Sequence, residues 1–333
     1  MPMQKPMLMQ VQKPMQVPMQ KPMLMQVQKP MQVQKQLDLN NLQGTVINGY
    51  NFISKLGSGA YSNVWLAISP NGVNVAIKVC TGHITTLTRV EVEVFESLQS
   101  SSSSAMSQHS NIVNMLETFP HPTDTGLCIV MEYVPYSEIK ADSFSKFDEG
   151  VDLLSFFTER ERPFRSLSKS QQNELVRSIT RQIASALLKL NSVGYIHADV
   201  KPENILVSLY NFNTNEITVK LCDFGNALST SNTSYILCQS QYYRAHEVLM
   251  HKRNCITPAI DMWSLGCIIW ELCMGTPLFN FTQEAKHIVA IEQFIQSDEK
   301  VIDDGLLHRL MKNLLMLDPA QRWTATEVLD SLK

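Results

Sequence analysis

The stretch "YIHADVKPENILV" (195–207) places an acid, an ammonium and an amide within six positions. Asp199 can accept the proton of an attacking hydroxyl, Lys201 can neutralise a transferring phosphate, and Asn204 can hold a metal ion. This spacing is typical of the catalytic loop of a phosphoryl-transfer enzyme, usually written H-R-D-L-x-x-x-N. One position differs, because Ala198 stands where that pattern has arginine.

A second acidic motif follows the loop. The stretch "VKLCDFGNA" (219–227) puts Asp223 at the end of a predicted strand, on the C-terminal side of Asp199. Phosphoryl transfer between anions needs cations to neutralise charge, and Mg²⁺ prefers oxygen ligands. We therefore expect Asn204 and Asp223 to bind Mg²⁺.

Two glycines near the start of the patterned region favour a phosphate site. In "KLGSGAYSNVWLA" (55–67), Gly57 and Gly59 lie between two predicted strands. Glycine lets the backbone approach phosphate oxygens closely. A third glycine would stand where Ser62 is, so an ordinary hairpin turn remains an alternative. The sequence has no G-x-x-x-x-G-K-[ST] pattern, which excludes a P-loop nucleoside triphosphatase.

A lysine follows the glycines in a later predicted strand. Lys78 lies in "VAIKV" (75–79), on the C-terminal side of Gly59. In this order of elements its ammonium can meet the α- and β-phosphates of a nucleotide. The alternative is a lysine at a strand edge that points to water.

Glu91 is the candidate carboxylate to hold that lysine. It shares one face of a predicted helix with Phe95 and Leu98, so its side chain can point inward beside apolar packing. Thr88 and Glu91 also have the spacing of a capping box, which would use Glu91 within its own helix. An ion pair with Lys78 is the interpretation that we favour.

The segment 1–40 differs in composition from the rest of the chain. "MQKPMLMQVQKPMQV" occurs at 3–17 and again at 19–33, so the segment contains an internal repeat. Proline breaks helices, and a segment without aromatic residues buries too little surface to fold. We predict a disordered Met/Gln/Lys/Pro tail over 1–40 and a folded domain over 45–333.

Hydrophobic periodicity changes from strand-like to helical along that domain. We predict strands within 46–80, 111–119 and 127–134, a charged irregular insertion at 138–168, and helices at 86–99, 170–192 and beyond 258. A small strand-rich half followed by a larger helical half predicts an α+β fold in two lobes.

Composition excludes several classes of protein. No apolar run approaches the roughly 18 residues that cross a membrane. Seven scattered cysteines give neither a disulfide framework nor a zinc pattern, so a cytoplasmic or nuclear location is expected. Beyond residues 1–37, which carry five lysines and no acid, 23 basic and 31 acidic residues give a net charge of −8. This balance argues against nucleic acid as the main partner and suits a basic protein substrate.

The ordered set of motifs resembles a eukaryotic protein kinase over residues 50–333. "DMWSLGCIIWEL" (261–272) and "LDPAQRW" (317–323) are similar to the C-lobe of that family. The resemblance implies a bilobal kinase fold that uses ATP and Mg²⁺. It also implies an N-lobe over 45–131, a hinge at 132–134 and a C-lobe over 135–333.

The resemblance implies roles for single residues as well. Asp261 would support the catalytic loop, and Arg322 would pair with Glu247 of "AHE", where the family has Ala-Pro-Glu and this chain has His246. The internal spine would include Phe95, Met115, His197 and Phe224. The catalytic set would be Lys78, Glu91, Asp199 and Lys201. The nucleotide site would comprise Leu56, Gly57, Ser58, Gly59, Val64, Ala76, Lys78, Met131 as gatekeeper, Glu132, Val134 and Leu206.

Motifs in the C-lobe indicate a subfamily. "SQYYRAHEVL" (240–249) resembles the Y-R-x-P-E segment of the CMGC group, and "HADVKPENIL" and "DFGNA" most resemble SR-protein kinases, with LAMMER and dual-specificity tyrosine-regulated kinases next. SR-protein and LAMMER kinases carry threonine before the catalytic aspartate. By this resemblance, an active kinase does not need arginine at the position of Ala198. The insert typical of this group, which in SR-protein kinases helps to form a docking groove, is missing or very short here.

The leading hypothesis is an active, monomeric serine/threonine protein kinase. Lys201 and Ser240 favour serine or threonine over tyrosine as the acceptor, and Glu203 and the acidic stretch Glu138–Asp152 could pair with arginines of a substrate. Because Ala198 offers no guanidinium to a phosphate, we expect activity without activation-loop phosphorylation. Two alternatives remain open, a pseudokinase that binds ATP without efficient transfer and a small-molecule kinase.

Overall fold

Residues 46–80 form the first four strands of an antiparallel sheet, as their alternating pattern predicts. In the computed structural model these are β1 (Val46–Ile47), β2 (Tyr50–Ser58), β3 (Ser62–Ile68) and β4 (Asn74–Cys80), each paired with the next. The structure describes residues 41–59, 62–80, 86–101, 111–121, 126–140, 143–147, 150–158, 167–211, 213–231, 237–252, 256–297 and 302–333. The predicted tail over 1–40 lies outside these residues.

One helix and two further strands complete the strand-rich lobe. α1 (Thr86–Ser100) buries Val94 and Phe95 in the core. β5 (Met115–Pro120) and β6 (Leu127–Glu132) extend the sheet to six strands in the order β1-β2-β3-β4-β6-β5. The central position of β4, between β3 and β6, places Lys78 inside the sheet and away from both edges. The alternative of an edge lysine is therefore wrong.

The remaining elements form a larger and mostly helical lobe. In chain order they are β7 (Tyr136–Lys140), β8 (Ser143–Phe147), β9 (Val151–Asp152), α2 (Leu153–Thr158), α3 (Lys169–Ser192), β10 (Tyr195–Ile196), β11 (Ile205–Asn211), β12 (Glu216–Leu221), β13 (Leu228–Ser229), α4 (His246–Leu249), α5 (Ala259–Met274), α6 (Glu284–Gln296), α7 (Gly305–Leu314) and α8 (Ala325–Ser331). The architecture is the predicted α+β fold, with a strand-rich lobe followed by a helical one.

The prediction of an irregular insertion at 138–168 is wrong over its first part. β7 and β8 form an antiparallel hairpin, β7 runs parallel to β11, and Ser137 lies opposite Leu209. β9 pairs with β11 as well, and α2 follows directly. The strand that orders the insertion lies far along the chain, so the local pattern could not reveal it. Residues 159–166 lie outside the described part.

Helix α3 forms as the sequence predicts, because its caps and its apolar face agree. Ser168 accepts a hydrogen bond from the backbone N–H of Gln171, whose side chain accepts from Ser168 N, a complete capping box. The apolar residues that give this segment its helical pattern are all buried: Leu175, Ile179, Ile183, Ala186, Leu187 and Leu190. This face packs against α5, which is buried on nearly every side and carries Asp261. Within the described residues, no helix is both long and apolar enough to cross a membrane.

Candidate active site

Asp261 holds the backbone of the loop that carries the predicted base. Its carboxylate accepts hydrogen bonds from the backbone N–H groups of His197 (2.7 Å) and Ala198 (2.9 Å). Ala198 has a φ of 60°, a left-handed conformation that is uncommon for residues other than glycine, so the two bonds stabilise a costly turn. Burial raises the pKa of Asp261 to about 6, against the opposing effects of His197 and of the two N–H donors.

The carboxylate of Asp199 lies among donors from three segments. Its Oδ1 accepts hydrogen bonds from Ser240 N (3.0 Å) and Ser240 Oγ (2.7 Å). Its Oδ2 lies 3.3 Å from Lys201 Nζ, 3.3 Å from Asn204 Nδ2 and 3.2 Å from Asn226 Nδ2. The predicted residues Asp199, Lys201 and Asn204 are thus brought together. The sequence analysis did not identify Asn226. The only feature of the sequence that could have marked it is its position directly after the D-F-G triplet, Asp223–Gly225.

Lys78 forms ion pairs with two carboxylates that reach it from different elements. Its Nζ lies 2.6 Å from Glu91 Oε2 on α1 and 2.8 Å from Asp223 Oδ1, which follows β12. The capping-box alternative for Glu91 does not hold, because α1 begins at Thr86 and Thr88 therefore lies inside the helix. The predicted pair of Lys78 and Glu91 is present in the structure.

The three groups shift one another's pKa, and the shifts of Lys78 and Asp223 favour their ionised forms. Burial acts to lower the pKa of Lys78, but Glu91 and Asp223 together raise it above the ordinary value. Burial acts to raise the pKa of Asp223, but the Lys78 ammonium holds it below the ordinary value. The pKa of Glu91 is raised, because its burial outweighs the effect of Lys78. Asp223 therefore remains an anion near neutral pH and can bind a cation.

Phe224 holds the D-F-G turn against both lobes. Its ring is buried and meets the ring of Phe95 on α1 edge-on at 5.2 Å and the ring of His197 at 5.4 Å, measured between centroids. Met115 belongs to the same core. Asp223 itself has a φ of 64°, so the turn is strained at the residue that faces Lys78. The predicted spine contacts fix this turn with the aspartate directed at the lysine.

The predicted nucleotide residues of the strand-rich lobe lie on neighbouring strands. Val64 on β3 is opposite both Gly57 on β2 and Lys78 on β4, and Ala76 on β4 is opposite Met131 on β6. A Cβ added to Gly57 would meet no atom within 4 Å, which leaves open space above this strand. Leu206 comes from the other lobe, on β11. The tip of the glycine turn, residues 60 and 61, lies outside the described part.

The side chain of Glu132, at the predicted hinge, is occupied by protein partners. Its Oε1 accepts hydrogen bonds from Lys220 Nζ, Asn114 N and Asn114 Nδ2, each at 2.9 Å. Its backbone N–H donates to Asn114 O at 2.9 Å. The backbone N–H and the Oε1 atom of Glu132 are therefore engaged within the protein. Sequence reasoning did not foresee the ion pair with Lys220, which links the hinge to the strand before Asp223.

We call the part of the chain from Asp223 to Glu247 the activation segment. Glu247, at its end, forms the predicted pair with Arg322. The guanidinium donates to both carboxylate oxygens, at 2.7 and 2.9 Å, and both side chains are fully buried. The guanidinium also lies over the ring of Trp263 on α5, 5.1 Å from its centroid. His246, where the family has proline, is buried with its Nε2 3.6 Å from Glu292 on α6.

Asn204 and Asp223 offer a donor set that fits Mg²⁺ shared with a nucleotide. Asn204 uses its amide nitrogen toward Asp199, so its amide oxygen is the atom available to a cation. Within the described residues no cluster of three or more His, Cys, Asp or Glu side chains could hold a metal alone. Mg²⁺ at phosphate sites commonly takes one or two protein oxygens and completes its shell with phosphates and water. The two residues therefore fit that ion.

The strand-rich lobe carries a Lys–Glu pair, and the D-F-G turn of the helical lobe places Asp223 on that lysine, an arrangement that defines a kinase fold. The chain belongs to the protein kinase family, since the protein kinase domain model of that family matches residues 50–332.

Similar proteins include homeodomain-interacting protein kinase 2 of Mesocricetus auratus, 33% identical over 267 residues that cover 78% of this chain and 20% of that protein. Homeodomain-interacting protein kinase 1 of Mus musculus is 34% identical over 268 residues, 78% of this chain and 19% of that protein. Serine/threonine-protein kinase cds1 of Schizosaccharomyces pombe is 29% identical over 292 residues, 84% of this chain and 57% of that protein. The chain thus spans about a fifth of the length of the first two relatives.

Proposed function

We propose that the chain transfers the γ-phosphate of ATP to a serine or threonine hydroxyl of a protein substrate. The observation that carries the proposal is that one turn connects the ion-pair cluster of Lys78 with the carboxylate of Asp199. Lys78 lies within ion-pair distance of Glu91 and Asp223. Asn226, which follows Asp223 in the same turn, donates to Asp199. A nucleotide site and a candidate base are therefore joined by one turn.

Each residue has a part in the proposed reaction. Lys78, oriented by Glu91, binds the α- and β-phosphates of ATP. The acceptor hydroxyl attacks the γ-phosphorus, its proton passes to Asp199, and ADP leaves, while Lys201 neutralises charge on the moving phosphate. Mg²⁺ held by Asn204 and Asp223 would neutralise charge on the phosphate oxygens.

The surroundings of the base favour serine or threonine as the acceptor. Lys201 Nζ lies 3.0 Å from Ser240 Oγ, which in turn donates to Asp199. Two relatives carry the name serine/threonine-protein kinase, cds1 and the probable kinase yakA of Dictyostelium discoideum. The pseudokinase alternative would be favoured by loss of a group that the reaction needs, and Lys78, Asp199, Asn204 and Asp223 are all present.

The test is a phosphotransfer assay with Mg²⁺-ATP and a serine peptide array. We expect Asp223→Ala and Asp199→Asn to lose most of the activity, since loss of preorganised charge costs several kcal/mol of transition-state stabilisation, on the order of 3 kcal/mol or more. Asp330→Ala is the matched control, because this carboxylate lies on the surface and pairs only with Lys333 among the described contacts. Near-normal turnover of Asp223→Ala would contradict the assignment.

We also propose that the chain belongs to the CMGC group, where its motifs are similar to those of SR-protein, LAMMER and dual-specificity tyrosine-regulated kinases. Support comes from the segment 240–249, which ends in α4 and carries the buried Glu247. The connection from α6 to α7 spans only residues 297–304, so the insert typical of that group is at most very short. A docking groove built on that insert is therefore not part of the proposal.

We further propose a preference for arginine-rich substrates. Glu203 is exposed directly after Pro202 in the catalytic loop. Burial raises the pKa of Glu271, and the nearby charge of Glu203 adds to that rise, which means that two acidic groups share one region. A cavity of about 270 Å³ lined by Pro202 and Glu271 lies beside them. Paired carboxylates next to apolar walls suit a guanidinium and its stem. In the predicted acidic stretch Glu138–Asp152, the side chains of 138–149 lie outside the described residues.

The substrate preference is measured by comparing serine peptides flanked by arginine with matched peptides flanked by alanine. We expect higher kcat/KM for the arginine peptides at low salt, a smaller ratio at high salt, and a reduced ratio in Glu203→Gln. Glu174→Gln serves as the control, since Glu174 is exposed on α3. Equal rates on the two peptide sets at low salt would refute the preference.

A further inference from the structure

Asn226 is an exposed side chain that reaches the predicted base from the D-F-G turn. The turn is closed by a hydrogen bond from Ala227 N to Phe224 O at 3.0 Å. Asn226 Nδ2 then donates to Asp199 Oδ2 at 3.2 Å. No role in nucleotide, metal or phosphate binding has been assigned to this residue.

The other donors to Asp199 Oδ2 are shared with other acceptors. Lys201, 3.3 Å away, is expected to turn toward the transferring phosphate. Asn204 Nδ2, at 3.3 Å, also donates to the backbone oxygen of Asp199 at the shorter distance of 2.9 Å. Ser240 donates only to the other oxygen, Oδ1. Asn226 Nδ2 is therefore the donor to Oδ2 whose described hydrogen bond is not shared with a second acceptor.

We propose that Asn226 is a positioning residue for Asp199. Its amide fixes the plane of the carboxylate, so that the remaining lone pairs point to the acceptor hydroxyl. It also makes this orientation depend on the D-F-G turn, because the same turn directs Asp223 toward Lys78. The inference rests on the proposed function, in which Asp199 accepts the proton.

The position of Asn226 does not indicate a purely structural role. Asn226 is exposed, and its neighbours Phe224 and Ala227 supply the buried contacts of the turn. Loss of the amide should therefore leave the fold and the nucleotide site intact. The expected signature is a slower chemical step with unchanged binding of ATP.

The experiment is single-turnover phosphotransfer at saturating ATP and serine peptide with the full-length chain. Asn226→Ala and Asn226→Leu remove the donor, and we expect both to slow transfer about tenfold, the low end for a hydrogen bond to a charged group. The KM for ATP, the Mg²⁺ concentration for half-maximal rate and the melting temperature should stay at the wild-type values. Asn280→Ala, at an exposed asparagine far along the chain, is the matched control and should transfer at the wild-type rate.

The outcomes separate this inference from the proposed function. If Asp199→Asn is inactive but both Asn226 variants transfer at the wild-type rate, the positioning role is overturned and the proposed function stands. A loss caused by weaker ATP binding, an altered Mg²⁺ requirement or a lower melting temperature would also overturn it. Full transfer by Asp199→Asn would instead remove the base assignment on which the inference rests.

Discussion

Lys78 lies between two carboxylates in a place from which water is largely excluded. Its side chain is 13% exposed and that of Glu91 is 2% exposed, whereas that of Asp223 is 43% exposed. Burying such charges is costly, and removing one partner leaves the other uncompensated. Lys78 is therefore expected to contribute to stability as well as to the proposed binding of ATP.

Lys78→Met should lower the free energy of unfolding by about 3 kcal/mol at pH 7, since it leaves Glu91 buried and unpaired. The difference in the free energy of unfolding between the wild type and Lys78→Met should be smaller at pH 5. Burial already raises the pKa of Glu91, and without the ammonium it should rise further. A carboxyl whose folded pKa exceeds its unfolded pKa costs stability at neutral pH, and that cost falls as acidification protonates it in the folded state.

The linkage of Asp223 in the wild type does not change between these two pH values. Lys78 holds the pKa of Asp223 below its ordinary value, so the stabilisation from this pair is fully present at pH 7 and at pH 5 and is lost only as pH falls further, through the folded pKa. Urea denaturation of the wild type and of Lys78→Met at both pH values measures the difference. The double variant Lys78→Met/Glu91→Gln should recover part of the loss, because it removes the stranded charge. An equal difference in the free energy of unfolding between the wild type and Lys78→Met at pH 7 and pH 5 would contradict this account.

The activation segment is held to α5 by side chains that need no phosphate. Gln239 is buried, with Nε2 2.8 Å from Ile260 O and 2.9 Å from Ser264 Oγ, and its Oε1 accepts from Ala245 N at 3.0 Å. Arg244 donates to the carbonyl oxygens of Cys238 and Gln239, each at 3.0 Å. We expect these contacts to order the segment in place of a phosphate bound by an arginine.

Enzyme without activation-loop phosphate should therefore remain active. The candidate acceptors are Ser229, Thr230, Ser231, Thr233, Ser234 and Tyr235, of which 233–235 lie outside the described residues. Phosphatase-treated enzyme, checked by mass over 223–247 and assayed in short single turnovers, should transfer phosphate at a rate close to that of untreated enzyme. A large drop would mean that another basic residue still binds a phosphate despite Ala198.

Gln239→Leu is the complementary variant for the same element. It introduces an apolar side chain of similar size and removes the bonds to α5, so unphosphorylated enzyme should lose activity and melt at a lower temperature. Gln283→Leu, outside the described hydrogen-bond network of this segment, is the control. Unchanged activity and melting temperature in Gln239→Leu would show that other contacts order the segment.

At the scale of the whole molecule, kinase patterning and the family match both begin near residue 50. The repeat over 1–40 lies before them and shares none of the motifs. Removing residues 1–39, so that the chain begins at Asn40, should leave the specific activity and melting temperature unchanged. A chain lacking residues 1–49 is the comparison, because Leu42 and Ile47 are buried and their loss should destabilise the fold. Loss of activity in the shorter truncation would assign the repeat a structural role.

The sequence by itself determined what depends on local order. The helical pattern over 170–192 and the single motifs that contain Lys78, Glu91, Asp199 and Asp223 are properties of short segments, and the structure forms α3 there and pairs Lys78 with Glu91. The pairing of Glu247 with Arg322 was available only through family resemblance, because 75 residues separate them.

Only the tertiary structure decided how distant segments meet. It paired β7 with β8 and placed β7 beside β11, which lies far along the chain. It placed Asn226 on Asp199 and Gln239 on α5, contacts that neither residue type nor spacing marks in advance. The physical reason is that a polar side chain's partner is set by which donors and acceptors packing brings within about 3 Å, and packing is a property of the whole chain.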